Sequence, residues 1–203
     1  MSRHRLSIRV EAAFVHVFTG LGIVCALFAM RESIAGRVEQ AFIWLGVAFF
    51  IDGVDGYFAR RVKVWEVLPR FSGETLDLVI DYVTYVFIPA IMFLEAKVLT
   101  GVAGHAVAAM ICLSSLYHFC DEGSKSQDNC FVGFPAIWNI VAFYIFAFQP
   151  PAFWTYAILL FCVVMTFVRF KWVHPMRVLA LRGLTGAATL AWAAAAAWTV
   201  WYG

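Results

Sequence analysis

The sequence predicts an all-α integral membrane protein, a single domain over residues 1–203 that forms a bundle of about seven transmembrane helices. Of its residues, 63% are hydrophobic and only 14% are charged, whereas soluble domains carry about 25% charged residues. The mean hydropathy is +0.82. Apolar residues also gather in segments of about the length that crosses a bilayer, at residues 12–30, 41–59, 74–94, 98–119, 134–149, 152–168 and 178–202. At about 20 residues per span, the chain has room for roughly six to eight spans and for no separate soluble domain.

Residues 1–11 precede the first apolar segment and carry Arg3, Arg5 and Arg9. Two alternatives stay open for them: a short interfacial helix whose arginines meet anionic headgroups, or a charged tail. No small-residue cleavage site closes the first apolar run, so we expect the first span to be retained.

Basic residues predict how the bundle is oriented. With the N-terminus in the cytoplasm, twelve of the fifteen Lys and Arg residues fall on the cytoplasmic side, and only Arg31, Arg37 and Lys97 fall outside. This distribution follows the positive-inside rule. We therefore expect seven spans with the C-terminus outside.

Several classes of function are disfavoured. The net charge of +2 is too small to indicate a nucleic-acid partner. Five cysteines without CxxC spacing indicate core thiols rather than disulfides or a zinc site. The five histidines also lack metal-ligand spacing, and we expect them to be satisfied or interfacial.

Four aspartates lie within two apolar segments: Asp52, Asp55, Asp77 and Asp81. Translocon scales give a cost of about 2.5–3.5 kcal/mol for one Asp at a helix centre, so such carboxylates indicate a functional site. Asp52 and Asp55 share one face of the second helix, and Asp77 and Asp81 share a stripe of the third. Facing stripes would form an oxygen-rich pocket suited to Mg²⁺ or Mn²⁺ and a bound diphosphate. The alternative is a structural network in which the aspartates pair with nearby basic residues.

The full pattern contains eight specified positions: Asp52, Asp55, Gly56, Ala59, Arg60, Gly73, Asp77 and Asp81. It resembles the signature of the CDP-alcohol phosphotransferase family. Twelve residues separate Arg60 from Gly73, and this longer gap is similar to the bacterial phosphatidylcholine synthase branch of that family. Residues 131–139 resemble the same branch. The resemblance implies transfer of the phosphatidyl group of CDP-diacylglycerol to choline, with release of CMP.

The resemblance also assigns roles to the residues. It implies two divalent ions, Mn²⁺ or Mg²⁺, with Asp52, Asp55 and Asp77 as ligands, and Asp81 as a further ligand and the general base. Nucleotide or phosphate contacts are expected from Gly56, Ala59, Arg60, Gly73 and Lys125. Packing of small residues between helices remains open for the glycines and Ala59, headgroup contact for Arg60, and a solvated loop charge for Lys125.

Choline is a quaternary ammonium, which proteins recognise with aromatic faces. We expect such a cage from Tyr82, Tyr117 and Trp138, which lie near the cytoplasmic ends of predicted spans. The expected location is the inner membrane of a bacterium, with the active site facing the cytoplasm. Partners are CDP-diacylglycerol, choline and membrane lipids, and the oligomeric state stays open, a homodimer included.

Two other functions compete with this hypothesis. The same chemistry could use serine, glycerol phosphate or an inositol phosphate as acceptor, but anionic acceptors would favour basic residues at the end of the fourth span, where none precedes Lys125. An ion transporter would spread ionisable residues over several helices at the bilayer midplane. Here they cluster on two adjacent helices.

Overall fold

The computed structural model describes residues 3–121 and 131–172, with side chains over 7–121 and 133–170, and its helices confirm the all-α prediction. Its helices are α1 (Arg3–Ile34), α2 (Val38–Val62), α3 (Val64–Val67), α4 (Gly73–Asp81), a π-helix (Tyr82–Phe87), α5 (Ile88–Glu95), α6 (Gly101–Cys120), α7 (Trp138–Phe148) and α8 (Ala152–Phe167). Contacts divide the chain into two compact units, Met1–Lys97 and Val98–Gly203. The predicted seventh span, residues 178–202, lies outside the described residues.

Helix α1 carries a buried stripe of mostly small side chains, whose positions recur at intervals of three and four residues: Ala12, Val15, Thr19, Gly22, Ala26, Ala29 and Ser33. Beside this stripe, the buried Cys25 packs against Ala48 and Ile51 of α2. This spacing keeps one face of the helix towards its neighbour, and small residues let two backbones approach closely in a membrane. The helix begins at Arg3 without a break, so the first residues described continue α1 and do not form a separate interfacial helix.

Helix α2 also has a buried face, which is formed by Ala41, Leu45, Ala48, Ile51 and Asp55. The turn between α1 and α2 uses Gly36 at φ +74°, and Arg37 Nε donates to Glu32 Oε2 across it. Beyond α2, the short α3 places Val64 against Ala12 and Val15 of α1. The polar Asp55 therefore continues an otherwise apolar packing face.

The third span, Gly73–Glu95, changes its helix type along its length. Ser72 caps it by accepting a hydrogen bond from the Thr75 N–H, as N-cap residues do. After Asp81 comes one stretch of π-helix, in which the Ile88 N–H bonds to the Val83 carbonyl. Pro89 follows immediately, and a proline inside a helix removes one donor and crowds the carbonyl four residues earlier. The wider turn accommodates this crowding.

The second unit contains α6, α7, α8 and a two-residue antiparallel strand pair, β1 (Phe131–Val132) and β2 (Lys171–Trp172). Gly133 follows β1 at φ +81°. A Cβ there would lie 2.6 Å from the Thr166 carbonyl oxygen, so only glycine fits this approach.

Four helices are long and apolar enough to cross a membrane among the described residues, namely Ser7–Ile34, Val38–Val62, Gly73–Glu95 and Gly101–Cys120. They support an integral membrane protein. Helix α7 has 11 residues, which at 1.5 Å per residue is about 16 Å, roughly half the hydrocarbon thickness. It begins four residues later than predicted, since Pro135 and Ala136 at φ +54° precede it.

Candidate functional site

Three of the four intramembrane carboxylates meet in the first unit. One oxygen from each of Asp52, Asp55 and Asp77 lies within 4.8 Å of the other two. Asp55 is buried, while Asp52 and Asp77 are half-buried. The two stripes predicted from spacing alone therefore do face each other.

Asp81 lines the same cavity as these three residues. It lies one turn beyond Asp77 on α4, where the π-helix begins, and it is not part of the three-carboxylate cluster. The structure thus brings all four predicted aspartates to one place and gives Asp81 a separate position within it.

Helix α1 contributes a hydrogen bond that the sequence analysis did not predict. The buried Thr19 hydroxyl donates to the Asp55 carboxylate. Thr19 occupies the α1 stripe at the point where Asp55 occupies the α2 stripe. The sequence contained a signal that could have indicated a role for Thr19, because Thr19 and His16 are the polar side chains of the first apolar segment.

The π-helix contributes two further polar groups. Tyr85 donates its hydroxyl hydrogen to Asp52 Oδ2, and Thr84 donates to the Ile80 carbonyl oxygen at 3.0 Å. Thr84 lines the cavity beside Asp81. Tyr85 was not among the predicted choline contacts, although it continues the four-residue spacing of Asp77 and Asp81.

The predicted phosphate-binding residues of α2 have different environments. A Cβ on Gly56 would lie 3.2 Å from Arg60 Nη1, so the guanidinium covers this glycine. Arg60 is exposed and interacts electrostatically with Asp55. Ala59 packs against the cluster of Ala12, Val15 and Val64. Its surroundings favour the helix-packing alternative, whereas those of Gly56 and Arg60 suit an anion beside the carboxylates.

Gly73 lies against His16 at the start of α4. A Cβ on Gly73 would lie 2.9 Å from His16 Cε1, so a larger residue here would require the His16 ring to move. The His16 ring also contacts Phe71, with 4.5 Å between centroids. Its buried Nε2 has no hydrogen-bond partner among the described residues.

The three predicted choline contacts fall in both units. Tyr82 is half-buried at the first position of the π-helix. In the second unit, Tyr117 is 59% exposed, while Trp138 is fully buried and donates Nε1–H to Ser115 Oγ at 2.7 Å. Trp138 thus has a packing role in its own unit. Lys125 lies outside the described residues.

The donor set fits a hard divalent cation. Carboxylate oxygens are the ligands that Mg²⁺ and Mn²⁺ prefer, and sulfur or imidazole would favour other metals. The cluster of Asp52, Asp55 and Asp77 offers only carboxylate oxygens. Three mutually close carboxylates on apolar helices would repel one another without a cation, which supports a divalent metal site here.

Comparison with known proteins agrees with this chemistry. The model of the CDP-alcohol phosphatidyltransferase family matches residues 12–168, a range that includes all four aspartates. It also extends over described parts of both compact units.

Individual relatives are similar over most of the chain. A protein of Bradyrhizobium diazoefficiens named phosphatidylcholine synthase is 43% identical over 196 residues, which cover 97% of this chain and 73% of the relative. Proteins with the same name from Pseudomonas aeruginosa and Borreliella burgdorferi are 40% and 31% identical, over 91% and 87% of this chain and 77% and 75% of the relatives. The family match, the identities and their coverage establish that this chain belongs to the CDP-alcohol phosphatidyltransferase family.

Proposed function

We propose that this enzyme transfers the phosphatidyl group of CDP-diacylglycerol to choline, forming phosphatidylcholine and CMP. The observation that carries the proposal is the approach of Asp52, Asp55 and Asp77 within 4.8 Å beside Asp81. The names of the relatives support choline as the acceptor. We place the enzyme in a bacterial inner membrane with this site at the cytoplasmic face.

In this proposal, the four aspartates hold two divalent ions, Mn²⁺ or Mg²⁺. When bound, such ions neutralise the diphosphate and stabilise the departing nucleotide. Helices α2 and α4 fix the carboxylates in place. Thr19 further limits the orientation of Asp55.

Asp81 acts as the general base. Its carboxylate takes the proton from the choline hydroxyl as that oxygen forms a bond to the phosphorus that carries diacylglycerol. The phosphoanhydride bond to CMP breaks, and its electron pair leaves with the CMP phosphate. A base is needed because an alcohol has a high pKa, and the position of Asp81 in the cavity but outside the three-carboxylate cluster suits this role.

The other predicted residues bind rather than react. Gly56 and Gly73 let the nucleotide approach the backbones of α2 and α4, and Arg60 pairs with a phosphate oxygen. Lys125 is proposed to hold the lipid phosphate. Tyr82 and Tyr117 each remain a candidate aromatic contact for the trimethylammonium group. Ala59 and Trp138 were also predicted to bind the nucleotide and choline, respectively, but their packing supports a structural role more than ligand binding.

The decisive experiment is an assay of purified protein with CDP-diacylglycerol, Mn²⁺ and a panel of labelled alcohols: choline, serine, glycerol phosphate and inositol phosphate. We expect phosphatidylcholine and CMP in equal amounts, with choline as the preferred acceptor. A preference for serine or a phosphorylated alcohol would overturn the acceptor assignment and leave the metal site standing.

Removal of metal tests the proposal that the transfer depends on divalent ions. A chelator should abolish activity, and Mn²⁺ or Mg²⁺ should restore it, whereas Ca²⁺ should restore it poorly because its ligand distances are longer. Asp52→Ala, Asp55→Ala and Asp77→Ala should each give folded, nearly inactive protein. Full activity in excess chelator would refute metal-dependent transfer.

A further inference from the structure

Tyr85 lies beside the carboxylate site. It lies in the π-helix and is 9% exposed. Its hydroxyl donates to Asp52 Oδ2 across 2.5 Å, and its side chain interacts electrostatically with Asp77 and Asp81 as well. The phenol therefore contacts one of the four carboxylates and lies within electrostatic range of two others.

Two structural features fix the direction of this phenol. Phe49, one turn before Asp52 on α2, lies against the Tyr85 ring with 6.2 Å between centroids. On the other side, the π-helix sets the position of Tyr85 relative to Asp81, and Thr84 secures this segment through its hydroxyl bond to the Ile80 carbonyl. The ring can therefore present its hydroxyl to Asp52 with little rotational freedom.

A carboxylate has two oxygens and about four lone-pair sites, so a single donor leaves coordination capacity free. When Oδ2 of Asp52 accepts from Tyr85, rotation of the carboxylate is restricted and the remaining lone pairs keep a fixed direction. Donors behind metal ligands commonly set ligand orientation in this way. Phenylalanine at this position would keep the ring packing and lose only the donor.

We propose that Tyr85 is a positioning residue for divalent metal binding, acting through its hydrogen bond to Asp52. This inference rests on the metal site of the proposed function. It adds a residue outside the eight-position signature. Tyr85 itself touches neither substrate nor the reacting atoms in this scheme.

The test is metal binding by purified Tyr85→Phe protein without substrate. Protein melting is followed during titration with Mn²⁺, and Mn²⁺ binding is measured in parallel by electron paramagnetic resonance. We expect the Mn²⁺ concentration for half-maximal stabilisation to rise by about 10–100-fold, the range found when such supporting residues are removed. At saturating Mn²⁺, the choline KM should stay unchanged.

Tyr57→Phe is the matched control. It removes the same hydroxyl from a tyrosine on α2 that is 56% exposed and does not line the cavity. This variant should bind Mn²⁺ as the wild type does.

A double-mutant cycle keeps the test decisive if Tyr85→Phe also lowers stability. If Tyr85 acts through Asp52, adding Tyr85→Phe to Asp52→Asn should change Mn²⁺ affinity no further. Additive losses, or an unchanged Mn²⁺ midpoint in Tyr85→Phe, would overturn this inference alone. Wild-type protein that binds no Mn²⁺ would instead refute the metal site itself.

Discussion

Asp81 can be separated from the other aspartates by a single conservative change. Asparagine keeps the side-chain volume and one carbonyl oxygen but cannot accept a proton as a base. Because Asp81 lies in the cavity yet outside the close cluster of Asp52, Asp55 and Asp77, Asp81→Asn should still bind CDP-diacylglycerol. Its turnover should fall by about 10²–10⁴-fold, the usual contribution of a general base. Lipid-dependent melting and product formation measure the two effects, and wild-type turnover would assign the proton to another group.

The aromatic residues need different substitutions, because their burial differs. Trp138→Ala would remove a fully buried indole and cost about 3–5 kcal/mol of stability, which would mask any effect on choline. Tyr117 is 59% exposed, so it gives a cleaner test. Tyr117→Leu should raise the choline KM several-fold by removing about 0.5–2 kcal/mol of cation–π attraction, whereas Tyr117→Phe should not. Equal KM values for the wild type and Tyr117→Leu would exclude Tyr117 from the cage.

The sequence predicted the aspartates of the site better than it predicted the side chains that contact them. The spacing of Asp52, Asp55 and Asp77 already placed them on two stripes, since helical periodicity follows directly from sequence. The partners Thr19 and Tyr85 depend on which faces of three helices meet. That choice is made by packing of small residues over long sequence separations, which local spacing does not specify.

The role of the π-helix can be tested with a single substitution, at Thr84. Thr84 is 2% exposed, and its hydroxyl bonds to the Ile80 carbonyl oxygen. Thr84→Val should destabilise the protein by about 0.5–1.5 kcal/mol because a buried side-chain hydrogen bond is lost. It should also raise the Mn²⁺ midpoint, since a looser π-helix no longer fixes Tyr85.

Thr155→Val provides a closely matched comparison. Thr155 is also 2% exposed, and its hydroxyl bonds to the Pro150 carbonyl oxygen at 3.1 Å. We expect Thr155→Val to lower the melting temperature by a similar amount and to leave the Mn²⁺ concentration for half-maximal stabilisation unchanged. If Thr84→Val and Thr155→Val have the same effect on metal binding, the π-helix has no specific role in the site.

The apolar segments predicted where the long helices lie, but they did not predict where each helix begins and ends or how its backbone is wound. The span at 74–94 was predicted as one helix and is continuous over Gly73–Glu95. Its π-helical turn next to Pro89 depends on how the chain relieves a local clash. Helix α7 is shorter than its apolar run because Ala136 adopts a positive φ before it. Hydropathy does not register such backbone geometry.

At the scale of the first unit, α2 links the proposed inside and outside faces. Its 25 residues extend over about 37 Å, enough to cross a bilayer core. Arg60 and Arg61 lie at its C-terminal end, while Arg37 at the other end is paired with Glu32. Basic residues are therefore concentrated where the connection to α4 begins, which favours a cytoplasmic position for that end.

Cysteine labelling tests this orientation through two exposed positions beyond the opposite ends of α2, Glu66 in α3 and Ala35 in the α1–α2 turn. The five native cysteines must first be replaced, since Cys120 is exposed and would react. In intact spheroplasts, an impermeant maleimide should label Ala35→Cys and not Glu66→Cys. Permeabilised membranes should label both, and Pro150→Cys in the second unit should follow Ala35→Cys. Each variant must retain activity, because none of these positions belongs to the proposed site. Labelling of Glu66→Cys alone in intact spheroplasts would place the connection that flanks the carboxylates outside the cell, away from the cytoplasm in which CMP is expected to be released.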